Sequence, residues 1–297
     1  MDAFFKKYST WAIVAGGALW GLIGIFVNAL TNAGIEAFDA MIIRCVFSAI
    51  ILIIYMLITS PQKLKIRLKD IWMFLGTGVV SFFVYGSSYF AAIEQTSMAV
   101  AAMLLYTSPV FVMVMSAIFF KEKITLRSFA SIVTAVVGCA LVCGGARISG
   151  YPLSGLLLGL LSGFTYALYS IFGSVAAKRY PPETVTVYTF LFAGAGALLS
   201  GNPAEVAGAI ASDSGLLWIG IGYAVFSAVL PYILYTGGLK YSTPARAAVT
   251  VCVEPVVAAV LGAVVYRESM SVGTVIGSVL ILLSILVKNL EKKERNI

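Results

Sequence analysis

A shift of 146 residues, the interval from Gly17 to Gly163, lays the first half of this chain over its second half without a gap. The same shift carries Leu22 to Leu168, Phe26 to Phe172, Tyr89 to Tyr235, Pro109 to Pro255 and Glu122 to Glu268. Chance matches between apolar sequences scatter in register, so one register held across half a chain identifies a duplicated unit. Composition narrows what that unit folds into. Hydrophobic residues make up 60% of the chain, charged residues 11%, and mean hydropathy is +0.99, far outside the soluble range.

About 20 apolar residues of helix cover a hydrocarbon layer of about 30 Å. Segments of that kind lie near 11–30, 38–58, 71–91, 97–119, 126–144, 154–175, 184–200, 215–236, 243–265 and 272–288. The expected fold is therefore all-α: a polytopic membrane protein of ten transmembrane helices, five in a first repeat over 1–145 and five in a second over 150–297. Five is odd, so the second repeat enters the bilayer from the opposite side and the two are inverted. Charge agrees with both termini being cytoplasmic. Every basic residue in a loop, terminus or helix end from Lys6 to Arg295 then falls inside, except Arg147 and Arg267, a strong positive-inside bias. The net charge of +7 follows from topology and calls for neither nucleic acid nor an acidic partner. The expected setting is multi-pass in the plasma (inner) membrane, with the lipid bilayer as partner and a monomer or homodimer as the assembly.

Other classes fall away on simple grounds. The first apolar stretch follows basic residues but is too long for a signal-peptide core and lies within the repeat register, so it is expected to be retained. The loops are too short for a soluble catalytic domain. The chain has no histidine, which removes imidazole bases, His-ligated metals and histidine proton relays together. Cys45, Cys139, Cys143 and Cys252 all fall within spans and offer no loop disulfides. Cys139 and Cys143 share a helix face but lack companion ligands for a metal. No catalytic residue, metal or cofactor is assigned, the chain is not expected to be an enzyme, and no phosphate-binding glycine loop provides for ATP.

Glycines and prolines mark where helices approach and bend. Gly17 and Gly21 in the first helix, and Gly155, Gly159 and Gly163 in the sixth, are spaced so that two backbones can come close. Pro109 and Pro255, at matching positions in the fourth and ninth helices, deprive the carbonyls of Leu105 and Val251 of their usual donors. Pro231 does the same to Ser227 in the eighth. Unpaired backbone at bilayer depth is tolerated where it lines a cavity or finds another donor. Broken helices near the midplane are where transporters usually hold their cargo.

The stretch YFAAIEQTSMAVAAMLLYTSPVFVMVMSAIFFKEKIT (89–125) and its echo YTGGLKYSTPARAAVTVCVEPVVAAVLGAVVYRESMS (235–271) resemble the paired signature of EamA-type transporters, members of the drug/metabolite transporter superfamily. FDAMIIRCVFSAIILI (38–53) is similar to the Arg-containing second helix of that family, although Arg44 maps on Phe190 in the other repeat. The resemblance spans about residues 9–288. It implies a central cavity walled mainly by helices 1, 3, 4, 6, 8 and 9, with helices 5 and 10 peripheral.

Ionisable and aromatic residues within the spans are the site candidates. Glu254 stands midway along the ninth helix, before Pro255, where its symmetry mate is Ser108. It could bind substrate or a coupling proton, cap broken backbone or pair with an arginine. Arg44 is expected to snorkel outward or pair with Asp39; holding a substrate carboxylate is the alternative. Snorkelling accounts for Arg246. Glu122 and Glu268 are expected to fix loops, just before Thr125 and Ser271 as helix N-caps. Tyr85 and Tyr89 on the third helix, Trp20 and Tyr166 as symmetry mates on the first and sixth, Tyr106 on the fourth and Tyr235 on the eighth combine apolar rings with polar tips suited to a small solute. Tyr106 and Glu254 lie two positions apart under the repeat shift, so only one of them is expected to face the cavity.

Together these features suggest a secondary-active or facilitative transporter working by alternating access on a small molecule. Outward movement of an amino-acid-like or small aromatic metabolite comes from the resemblance. An importer or exchanger of a sugar, nucleobase or vitamin is the alternative, and a non-transporting scaffold or sensor a remote one.

Overall fold

The computed structural model describes residues 2–145 and 148–290. Arg147, Lys292, Lys293 and Arg295, which entered the charge argument, lie outside the described residues. Every regular element among the described residues is helical. Nine helices there are long and apolar enough to cross a bilayer: α1 (Asp2–Asn32), α2 (Ala40–Thr59), α3 (Leu68–Gln95), α4 (Met98–Phe120), then, beyond α5, α6 (Leu153–Ala177), α7 (Pro182–Ser200), α8 (Ser214–Leu239), α9 (Pro244–Val265) and α10 (Val272–Leu290). The remaining apolar helix is α5 (Leu126–Val142), whose 17 residues reach about 26 Å at about 1.5 Å per residue. The protein is a multi-pass membrane protein built as two five-helix repeats.

Two features depart from the sequence expectation. Helix α1 begins at Asp2 because its early turns are anchored: Phe5 is buried and Asp2 pairs with Lys240 Nζ at 2.7 Å. A short, mostly exposed helix, Pro203–Ser212, fills the α7–α8 connection, started by a proline in its first turn and anchored by buried Val206. The start of α1 and the end of α10 share one end of the bundle, where Thr10 Oγ1 donates to Asn289 Oδ1 at 3.3 Å. That is the terminus end; the far end carries the α1–α2 and α7–α8 connections.

Local structure repeats as faithfully as sequence. Ser97 caps α4 by accepting the Val100 amide at 3.2 Å, and Thr243 caps α9 by accepting the Arg246 amide at 3.3 Å. Both helices end on a left-handed residue, Lys121 at φ 55° and Arg267 at φ 56°. The next amides, of Glu122 and Glu268, then donate back to Ser116 O and Gly262 O, each at 3.3 Å, a C-terminal closure that usually recruits glycine. Thr125 and Ser271 cap α5 and α10 through the Ser128 and Thr274 amides, each at 3.0 Å.

Packing runs across the repeats. Helix α4 lies on α6, α9 on α1, and α5 on α10, where Gly138 and Gly277 meet at the crossing. The outer faces of that last pair expose Phe129, Val133, Leu282 and Leu286, as lipid-facing side chains do. The centre is left to the interrupted helices. Helix α1 breaks between Trp20 and Ile23, α4 between Leu105 and Ser108, and α9 at Cys252. Helices α3 and α8 each contain a π-helical segment, Gly76–Phe83 and Val225–Val229.

Candidate functional site

Prolines create the breaks and glycines receive them. Pro109 and Pro255 sit in the first turn of the second halves of α4 and α9, where a missing amide costs nothing. The carbonyls they strand, Leu105 O and Val251 O, turn towards the other repeat. A Cβ placed on Gly163 would stand 3.1 Å from Leu105 O, and one on Gly17 2.9 Å from Val251 O. A glycine leaves those carbonyls the room that a side chain would take. The same seams bring Gly21 against Val257, Gly155 against Gln95 and Gly159 against Leu104.

Where the breaks face one another, a carboxylate meets a tyrosine. Tyr106 Oη donates to Glu254 Oε1 at 3.5 Å, and the Tyr166 hydroxyl reaches the same carboxylate. This corrects the expectation that Tyr106 and Glu254 face apart. Two positions in an unbroken helix differ by about 200°, but Tyr106 closes the first half of α4 while Glu254 lies just beyond the Cys252 break in α9. The break resets the helical phase, and the inverted packing turns the two helices towards each other. Tyr85, Tyr89, Tyr106, Tyr166 and Glu254 lie deep in the protein, yet each keeps accessible surface. They form a partly accessible aromatic cluster around Glu254. Tyr85 stacks edge-on to Tyr166 at 5.2 Å and lies 6.2 Å from Tyr89.

A second aromatic group is sealed. Tyr235 and Trp20 are buried and 5.3 Å apart, and Trp20 lies 6.4 Å from Tyr166. The Tyr235 hydroxyl is taken by Ser170 Oγ at 2.7 Å and that of Tyr169 by Thr236 Oγ1 at 2.8 Å. Tyr232, buried between Trp20, Phe82, Tyr169 and Phe190, completes this packing. Tyr235 therefore packs behind that cluster, with its hydroxyl taken up by Ser170. The indole N–H of Trp20 is buried and has no partner among the described residues.

Arg44 neither snorkels nor pairs with Asp39. It is buried, and its Nη2 donates to Ser227 O at 2.5 Å, the carbonyl stranded by Pro231. Its guanidinium lies 5.2 Å from the Phe82 ring, 5.8 Å from Tyr223 and 5.9 Å from Tyr232. An orphan carbonyl at the same depth, flanked by ring faces, replaces water for the cation. Asp39 instead accepts the Asn202 amide at 3.0 Å.

At the terminus end Glu122, beyond α4, hydrogen-bonds Thr243 and faces Arg246, Lys288 and Lys178. Burial pushes its carboxyl up from the usual range, against the pull of that hydrogen bond and those cations. Glu122 thus ties the end of α4 to the start of α9, a wider contact than loop-fixing alone, within the field of Lys288, Arg246 and Lys178. Among the described residues no three Cys, Asp or Glu side chains converge to hold a metal. At the far end a cavity of about 260 Å³ opens between the α1–α2 connection, the last turns of α3 and the end of α7.

Comparison with known proteins agrees with this architecture. The sequence profile described as the EamA-like transporter family matches residues 7–144 and again 153–290. An uncharacterized transporter of Archaeoglobus fulgidus is 27% identical over 285 residues, covering 95% of this chain and 96% of that protein. The uncharacterized transporter YxxF of Bacillus subtilis is 26% identical over 267 residues, 87% of this chain and 83% of that one. The uncharacterized inner membrane transporter YicL of Salmonella typhimurium is 23% identical over 289 residues, 95% of each. A solved crystal structure shares the fold with TM-score 0.80 at 17% identity, covering 97% of this chain and 99% of that one. With the profile matched once in each repeat, this chain belongs to the EamA-like transporter family.

Proposed function

We propose that this transporter is secondary-active or facilitative, and that it moves small amino-acid-like or aromatic metabolites outward by alternating access. Its units are the repeats 1–145 and 150–297, set in the plasma (inner) membrane with both termini cytoplasmic. The reading rests on one observation: Tyr106 of one repeat and Glu254 of the other meet, both half-buried, where α4 and α9 are broken. A carboxylate held between two tyrosine hydroxyls in low dielectric is expensive when charged and unpaired. It therefore suits a group that exchanges a proton or meets a polar solute during each cycle. The glycine seams give the repeats smooth surfaces on which to rock, since close backbone contact between α1 and α9, and between α6 and α4, is not pinned by large side chains.

The test is flux into proteoliposomes. Labelled amino acids, aromatic metabolites, nucleobases and sugars are screened with and without a pH gradient, beside Glu254→Gln. The expected result is carriage of an aromatic or amino-acid-like solute whose response to the gradient is lost in the variant. Transport unchanged in Glu254→Gln would remove the carboxylate from the mechanism. Flux of no solute by folded protein would reject the transporter reading.

A further inference from the structure

Along α3 the rings form a continuous ladder. From Tyr166, beside Glu254, the centroid separations run 5.2 Å to Tyr85, 6.2 Å on to Tyr89, 5.9 Å to Phe90 and 6.2 Å to Phe38. Phe90 and Phe38 line the cavity of about 260 Å³ at the far end, together with Glu36, Asp39 and Glu94. The ladder thus has carboxylates at both ends: Glu254 at the centre and three more around the mouth. Among the described residues none of these four carboxylates forms an ion pair. The buried cation nearest the centre, Arg44, is committed to Ser227 O and to its own rings, Phe82, Tyr223 and Tyr232.

We infer that the cargo is an organic cation, an ammonium group on an aromatic or apolar body, which passes between Glu254 and the acidic mouth along the aromatic ladder. Ring faces attract a cation within about 6 Å of their centres, and successive ring centres here stand 5.2, 6.2, 5.9 and 6.2 Å apart, so a cation leaving one ring is already close to the next. The mouth carboxylates raise the local concentration of cations and disfavour anions. Burying an ammonium group beside Glu254 requires compensation, which the carboxylate and the rings supply. A carboxylate on the same cargo would meet Glu254 with no free cation to receive it. This inference rests on the transporter reading and narrows its cargo from amino-acid-like or aromatic metabolites to aromatic ones that carry an ammonium group and no carboxylate.

The experiment compares three solutes that share a phenyl ring: phenethylammonium, neutral 2-phenylethanol and zwitterionic phenylalanine. Each is measured for binding to the purified protein in nanodiscs and for flux into proteoliposomes. Phenethylammonium is expected to bind at least about tenfold more tightly than either of the others and to be carried. Tyr89→Leu should weaken it by about tenfold. Glu36→Gln with Glu94→Gln should slow its binding at low salt, an effect that shrinks as salt rises. Equal binding of 2-phenylethanol or phenylalanine would overturn the inference and leave the transporter reading standing. Failure of all three to bind would also overturn it, and the wider solute screen would then decide the transporter reading separately.

Discussion

The breaks in α4 and α9 are one device used twice. Each has a capped first half, a proline opening the second half and a stranded carbonyl set against a glycine of the opposite repeat. They differ in what stands beside the proline: buried Ser108 in α4, Glu254 in α9. The residue closing the first half differs too, Tyr106 against Cys252. Duplication supplied the architecture, and departures from symmetry supplied the chemistry. The positions of Arg44 and Phe190 repeat the lesson in α2 and α7. Both reach the Phe82–Tyr232 ring pair, one as a cation at 5.2 Å from Phe82 and the other as an apolar ring also 5.2 Å away.

Breaking that second pair should give the largest loss of stability. Phe190→Ala removes a fully buried ring from between Phe82 and Tyr232 and is expected to cost about 3–5 kcal/mol, read by denaturant unfolding in micelles. Arg44→Leu keeps most of the volume but leaves Ser227 O unpaired, for an expected loss of about 1–3 kcal/mol. Arg44→Lys should recover part of it through the ammonium donor. A larger loss for Arg44→Leu than for Phe190→Ala would reverse the comparison and make the cation the keystone of that cluster.

Symmetry itself is sharpened by the glycines. Gly17→Ala and Gly163→Ala each push a Cβ into a stranded carbonyl, and each should cost about 1–3 kcal/mol by overpacking. The two losses should be of similar size, because each Cβ is driven against backbone oxygen, Val251 O for Gly17 and Leu104 O with Leu105 O for Gly163. A loss confined to one repeat would show that only one seam is tight in the membrane.

Much of this was legible in the residues. The 146-residue register read the fold, because a duplicated apolar sequence fixes span number and inversion together. Pro231 pointed to Ser227 O as an orphan. Its donor is not legible: spacing along α2 points Arg44 to Asp39 or the surface and cannot show which partner α8 presents to it. The meeting of Tyr106 and Glu254 was hidden for a related reason. Counting residues around a helix presumes that it is unbroken, and here both residues flank the interruptions. The sealed ring set, Tyr169, Tyr223 and Tyr232, gave no signal that separated it from Tyr85 and Tyr166. What distinguishes them is whether packing leaves a ring accessible, which depends on helices distant in sequence. The break after Trp20 carried no proline and was likewise unmarked.

The central claim is that one residue from each broken helix forms a single site. A double-mutant cycle on binding of the transported solute, with wild type, Tyr106→Phe, Glu254→Gln and both together, tests it most directly. The account expects each single change to weaken binding and the double variant to be no weaker than Glu254→Gln alone, because the hydroxyl acts through the carboxylate it holds. Losses that simply add, or a Tyr106→Phe variant that binds as wild type does, would contradict it.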